Sequence, residues 1–233
     1  MPPCSTIVER LLTLIRCFRH VWALCLLASI TPVNAQQPAD TIPLLSDQFL
    51  TEMQPQLRPA RDYIPLRIGD KWTFRIGNGS ASADSAATLR VASMNTIGEA
   101  DVYCIERRLS SKSNVTKECY SVGEGGVYIH HMLQSDFDPA IPILKSPVVL
   151  ENTYSASTKV GGNDLRFSIT VREDRVQVPA GDFPALHVAV STNTRYKFGY
   201  WLAPHIGFVK MSLMHGPTTL NLDLEKFETG TLE

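Results

Sequence analysis

Few residues in this chain of 233 amino acids have the type and spacing to do chemistry. Cys104 and Cys119 come first. Val102–Leu109 and Val115–Val122 read as two strands of a hairpin centred between Ser111 and Lys112. In that register Cys104 lies opposite Cys119 and Glu106 opposite Lys117. Directly opposed cysteines have the separation that a disulfide needs, and neither a CxxC spacing nor a Cys/His companion motif points to redox or metal chemistry instead. His130 and His131 are adjacent in a strand, so they face opposite sides, and one of them with Asp136 or Asp138 is the nearest approach to a metal site. His187 sits between Leu186 and Val188, and His205 lies in the turn Pro204-His-Ile-Gly207. No G-x-S-x-G elbow, phosphate-binding G-x-x-x-x-G-K-[ST] loop or H-E-x-x-H helix is present, so no catalytic, cofactor-binding or metal-binding residue is assigned.

The elements that would carry these residues are strands. Trp72, Phe74 and Ile76 alternate with Lys71, Thr73 and Arg75. Leu165, Phe167, Ile169 and Val171 alternate with Arg166, Ser168, Thr170 and Arg172, and Leu220, Leu222 and Leu224 alternate with Asn221, Asp223 and Glu225. A period of two marks strands with one buried and one wet face, the pattern of antiparallel sheet. No window of helical length sustains a 3.6-residue period. The expected fold is all-β, an antiparallel half-barrel or barrel.

A shift of 81 residues lays Val102–Ser110 on Phe183–Ser191 and Cys119–Val122 on Tyr200–Ala203 without a gap. We read two tandem repeats of about five strands each, near 63–135 and 145–216, with a closing strand near 218–227, all in one β domain over 63–233.

The beginning of the chain has another character. Arg10, Arg16 and Arg19 precede the apolar run Val21–Ile30, and Val33-Asn-Ala35 follows, the pattern of a signal peptide over 1–35 with cleavage after Ala35. The run is too short for a membrane span, which needs about 20 residues, and no later segment is long enough. Residues 36–62, with Pro38, Pro43, Pro55 and Pro59, read as a proline-rich leader or spacer. Loss of residues 1–35 removes Cys4, Cys17 and Cys25, leaving an even pair that an oxidising compartment would join. It also takes the net charge from −1 to −3. No basic stripe exists to replace phosphate counterions, so nucleic acid is not an expected partner. The expected location is periplasmic or secreted.

Three stretches resemble known sequences: Tyr63-Ile-Pro-Leu-Arg-Ile-Gly-Asp-Lys-Trp-Thr-Phe74, Val176-Gln-Val-Pro-Ala-Gly-Asp-Phe183 with Ala185-Leu186, and Tyr200-Trp-Leu-Ala-Pro-His-Ile-Gly-Phe-Val-Lys210. They are similar to motifs of exported bacterial proteins of unknown function of the TapB-like kind. The resemblance covers about 63–227 and implies an envelope β-protein related in shape to half-barrels such as the lipoprotein carrier LolA. It carries no catalytic residues to transfer.

Two functional classes lead. In one, Trp72, Phe74, Phe167, Ile169, Leu220 and Leu222 line an interior that holds an apolar small molecule or lipid, with the proline-broken segment from Asp136 to Leu150 lying across the opening. In the other the same residues are a packed core, and the protein is a structural or adaptor component of the envelope with a protein partner. A hydrolytic enzyme is a distant third.

Overall fold

The computed structural model describes residues 59–77, 86–110, 115–132 and 134–230. The expected signal peptide, its cleavage site and the leader up to residue 58 lie outside the described residues.

After a 3-10 helix at Ala60–Tyr63 the chain runs through twelve strands: β1 (Lys71–Gly77), β2 (Ala86–Ile97), β3 (Ala100–Leu109), β4 (Val115–Gly123), β5 (Gly126–Met132), β6 (Ser135–Lys145), β7 (Asn152–Val160), β8 (Asn163–Val178), β9 (Gly181–Thr192), β10 (Tyr196–Ala203), β11 (Gly207–His215) and β12 (Thr218–Glu228). Each strand pairs antiparallel with its neighbours in sequence, and β12 returns to β1 to close the barrel. Of the two architectures expected, the closed one is adopted. Closure removes the sheet edges that a half-barrel would expose.

The alternation read from the sequence sets the two faces. Trp72, Phe74 and Ile76 are buried, while the outward Arg75 is exposed. Eight strands make a barrel just wide enough for side chains to fill, so twelve enclose more space. Part of the filling comes from the segment ahead of β1. Ala60, Tyr63, Ile64 and Leu66 are buried in the same apolar cluster as the barrel interior, and the Asp62 carbonyl accepts the His205 N–H at 2.8 Å. The end of the expected leader thus contributes Ala60 to the core.

Four strands of the second half begin 81 residues after a strand of the first: Lys71 and Asn152, Ala100 and Gly181, Val115 and Tyr196, Gly126 and Gly207. Ser135–Lys145, which falls between the expected repeats, is the sixth strand of the ring. The segment expected to lie across an opening is therefore mostly wall: Phe137, Ile141, Ile143 and Leu144 are buried in the core.

Along β8 the buried face changes phase. Phe167, Ile169 and Val171 point inward, but beyond Arg172 the buried positions are Val176 and Val178. With Phe183 and Ala185 of β9 they belong to the same core cluster, and the turn is fastened where Ala180 N–H donates to the Leu224 carbonyl at 2.9 Å.

Candidate functional site

The hairpin of β3 and β4 forms in the expected register. Cys104 pairs with Cys119, Glu106 with Lys117, and the two cysteines are joined by a disulfide across a Cα separation of 4.1 Å. The bridge is buried with Val102 in a small cluster separate from the main core.

The opposite face of the same hairpin holds a feature that the sequence reading missed. Ile105, Arg107 and Glu118 share the inward face; Arg107 pairs in register with Leu89, and Glu118 with Ile105. Arg107 makes an ion pair with Glu118, whose other carboxylate oxygen accepts the Tyr120 hydroxyl at 2.6 Å. Glu118 is only 4% exposed and Tyr120 is fully buried. Burial alone would loosen the Arg107 proton, but Glu118 above all, then Tyr120 and Tyr200, hold its pKa above the ordinary value. Burial, then Glu118, pushes the Tyr120 hydroxyl well up, and burial does the same to Tyr200. The Tyr200 hydroxyl donates to the Met132 thioether at 3.8 Å, a weak acceptor. Arg107 Nε is buried with no hydrogen-bond partner among the described residues. The signal for this cluster was available, since Arg107 and Glu118 occupy inward positions of an alternating pattern.

Around these groups the interior is built of rings. Phe208 contacts Trp72 at 5.9 Å, Tyr120 at 6.0 Å and Tyr200 at 6.1 Å between centroids, and Trp72 stacks on Phe227 at 5.3 Å. Of the residues read as a ligand lining, Trp72, Phe74, Phe167, Ile169 and Leu222 are buried and Leu220 is partly buried against them. The Trp72 indole N–H donates to the Ile206 carbonyl at 2.7 Å, the bond a buried tryptophan requires.

The histidines are dispersed. His131 Nδ1 lies 2.7 Å from Asp136 Oδ1, while His130 turns to the Ser121 hydroxyl at 2.8 Å. Two ligating residues at most come together there, and no cluster of three metal-ligating side chains occurs among the described residues. Burial lowers the His130 pKa. His205 adopts a positive φ of 63° in its turn, where its backbone N–H reaches the Asp62 carbonyl.

His187 belongs to a row on the outer wall: Arg172, His187, Trp201, Lys210, Asp223 and Arg75, each opposite the next across six strands. The imidazole stacks on the Trp201 indole at 4.1 Å with 7° between planes. Arg172 Nε donates to His187 Nδ1 at 3.1 Å, Trp201 Nε1 donates to Asp174 at 2.7 Å, and Lys210 pairs with Asp223 at 3.1 Å. Burial, then the Arg172 charge, lowers the His187 pKa against an opposing effect of Asp174. The Arg172 Nε–H contact uses the lone pair of His187 Nδ1, so that nitrogen carries no proton while the bond is made.

A second row, Glu228, Lys71, Arg90, Glu106 and Lys117, crosses five strands, beside a cleft of about 360 Å³ lined by Lys71, Thr88, Arg90, Glu106 and Arg108. A cleft of about 430 Å³ over β7, β8 and β9 is lined largely by Ser155, Ser157, Arg166, Ser168, Ser191 and Asn193. Neither holds a nucleophile paired with a base.

No family model matches the chain, and no curated protein matches it. Among solved structures it is similar to a candidate lipoprotein from Parabacteroides distasonis ATCC 8503, with 13% identity and a TM-score of 0.41 over 71% of this chain and 98% of that one. It is also similar to a candidate exported protein with YmcC-like fold from Bacteroides fragilis NCTC 9343, with 11% identity and a TM-score of 0.41 over 70% of this chain and 97% of that one.

Proposed function

We propose that the protein is an exported, non-catalytic barrel of the bacterial envelope that serves as a binding scaffold, with a structural interior and a working outer surface. The carrying observation is the interior itself: Trp72 is fully buried, satisfied by Ile206 and enclosed by Phe208 and Phe227. That is how core residues behave. The charged outer rows support a barrel in water, since transmembrane barrels carry an apolar band outside. The 81-residue offset supports two tandem repeats of about five strands with a closing strand, and the N-terminal pattern supports cleavage after Ala35 and a periplasmic or secreted address.

A second reading, in which the interior takes an apolar small molecule or lipid, is favoured by Arg107 Nε, a buried donor with no partner among the described residues. Trp72→Ala separates the two. A packed core loses about 3–5 kcal/mol of stability, and native mass spectrometry and apolar dyes find no lipid and no saturable binding. A carrier binds such a probe near micromolar, about −8 kcal/mol, and the substitution weakens binding more than folding. Fatty acids, phospholipids and isoprenoids together make a sufficient panel.

A further inference from the structure

On the outer wall two cations stand directly opposite each other. Lys71 of β1 is the register partner of Arg90 of β2, and like charges in that position destabilise a sheet. The carboxylates nearby leave Arg90 uncompensated. Glu228 pairs with Lys71 at 3.4 Å and with Lys226 at 3.1 Å. Glu106, the register partner of Arg90 on β3, pairs with Arg108 at 3.0 Å. Arg90 is exposed and makes no ion pair among the described residues.

The same groups line the cleft of about 360 Å³: Lys71, Arg90 and Arg108 against the single carboxylate of Glu106, with a hydroxyl from Thr88, the register partner of Arg108. Three cations against one anion leave a local excess of two positive charges, in a chain whose net charge is −1. A sheet that keeps such an arrangement gives up stability at that spot, as functional sites do. The lining has no aromatic ring on which a nucleotide base could stack.

We infer that this cleft binds a phosphate monoester, a dianion whose charge equals the excess. The site rests on the reading of the outer wall as the working surface and gives that wall a ligand. Arg90 presents a planar fork of donors that matches two phosphate oxygens. Lys71 on one neighbouring strand and Arg108 on the other supply charge, and Thr88 supplies a hydroxyl. A dianion set between Lys71 and Arg90 replaces their repulsion with two attractions. A carboxylate brings half the charge and one oxygen fewer to the same donors, so it is the weaker ligand. The phosphate can be carried by a soluble ester or by a lipid headgroup, and the cleft recognises what the two share.

The probe is glycerol 3-phosphate, titrated into the full chain at low ionic strength in a calorimeter. It should bind saturably, and dimethyl phosphate, a monoanion, about tenfold more weakly. Arg90→Gln removes one charge-assisted pair and should weaken binding about tenfold, while Arg90→Lys, which keeps the charge without the fork, should lose less. In phosphate-free buffer Arg90→Gln should melt no lower than the parent, because the repulsion from Lys71 goes with it. Arg166→Gln, in the cleft over β7, β8 and β9, should bind as the parent does. Cosedimentation with phosphatidylcholine vesicles containing phosphatidic acid assigns the site to a headgroup, and binding of the soluble ester alone assigns it to a free one. Absence of saturable binding, an Arg90→Gln variant that binds like the parent, or an equal loss in Arg166→Gln overturns the site. A lipid held in the interior while the cleft still binds phosphate overturns the scaffold reading and leaves the site standing.

Discussion

Replacing Arg107 with methionine tests the interior polar cluster most directly. The substitution keeps much of the side-chain volume and leaves Glu118, 4% exposed, with only the Tyr120 hydroxyl as partner. Removing one member of a buried ion pair costs about 3–5 kcal/mol. The Arg107 side chain retains 19% exposure, so water already screens part of the pair and the lower end, about 3 kcal/mol, is expected. For a barrel of this size that loss lowers Tm by about 6–12 °C. Glu118→Leu, which strands a cation able to lean toward water, should cost about 2 kcal/mol. The double variant removes both charges and leaves only the Tyr120 hydroxyl short of an acceptor, worth about 1–2 kcal/mol. Urea unfolding of all four proteins at one pH gives a coupling of about 3 kcal/mol. A double variant whose loss equals the sum of the two singles would mean that the pair is not a unit, and the account of the interior would fall.

Cys104→Ser should lower stability by about 2–4 kcal/mol through the freed unfolded chain, read as the shift in urea midpoint against the oxidised parent; free thiols in the folded parent would remove the premise. His187 has a folded pKa below its unfolded value, so the unfolded chain takes up the proton first and stability falls as pH drops below about 6.5. His187→Gln should flatten that acid-side slope in unfolding curves taken between pH 7 and 5, leaving the part due to His130, whose pKa is also lowered; an unchanged slope contradicts the assignment. Thr158→Val removes a buried hydroxyl that has no hydrogen-bond partner among the described residues, at nearly constant shape, and should raise stability by about 1 kcal/mol. A loss instead would show that the hydroxyl is satisfied in solution.

The strands and the disulfide were legible because each rests on local periodicity. Trp72, Phe74 and Ile76 declare an inward face by alternation alone, and the same count through the β3–β4 hairpin places Cys104 on Cys119. β6 was hidden because Pro139 and Pro142 are read as breakers, whereas a strand with one weak edge tolerates them. Arg107 and Glu118 were overlooked because charge in a strand is assigned to the wet face by default, although alternation with Ile105 and Tyr120 placed both on the inward side. The phase change along β8 depends on how the hairpin bends, which no local pattern encodes. Whether rings enclosed by a barrel leave room for a guest is a matter of summed volume, and the single-strand patterns are silent on it.

The pairing of β1 with β12 has a consequence for assembly in time. The first strand of the sheet has its second neighbour at residues 221–228, so nearly the whole chain must be present before Trp72 can stack on Phe227 or the ring can close. Partners so remote in sequence are met late and slowly, on the millisecond-to-second scale of β topologies with distant contacts. A nascent chain ending before Thr218 would leave β1 and β11 each with a bare margin, able to join another unfinished copy. Thr218–Glu228 therefore act as a clasp on the ring.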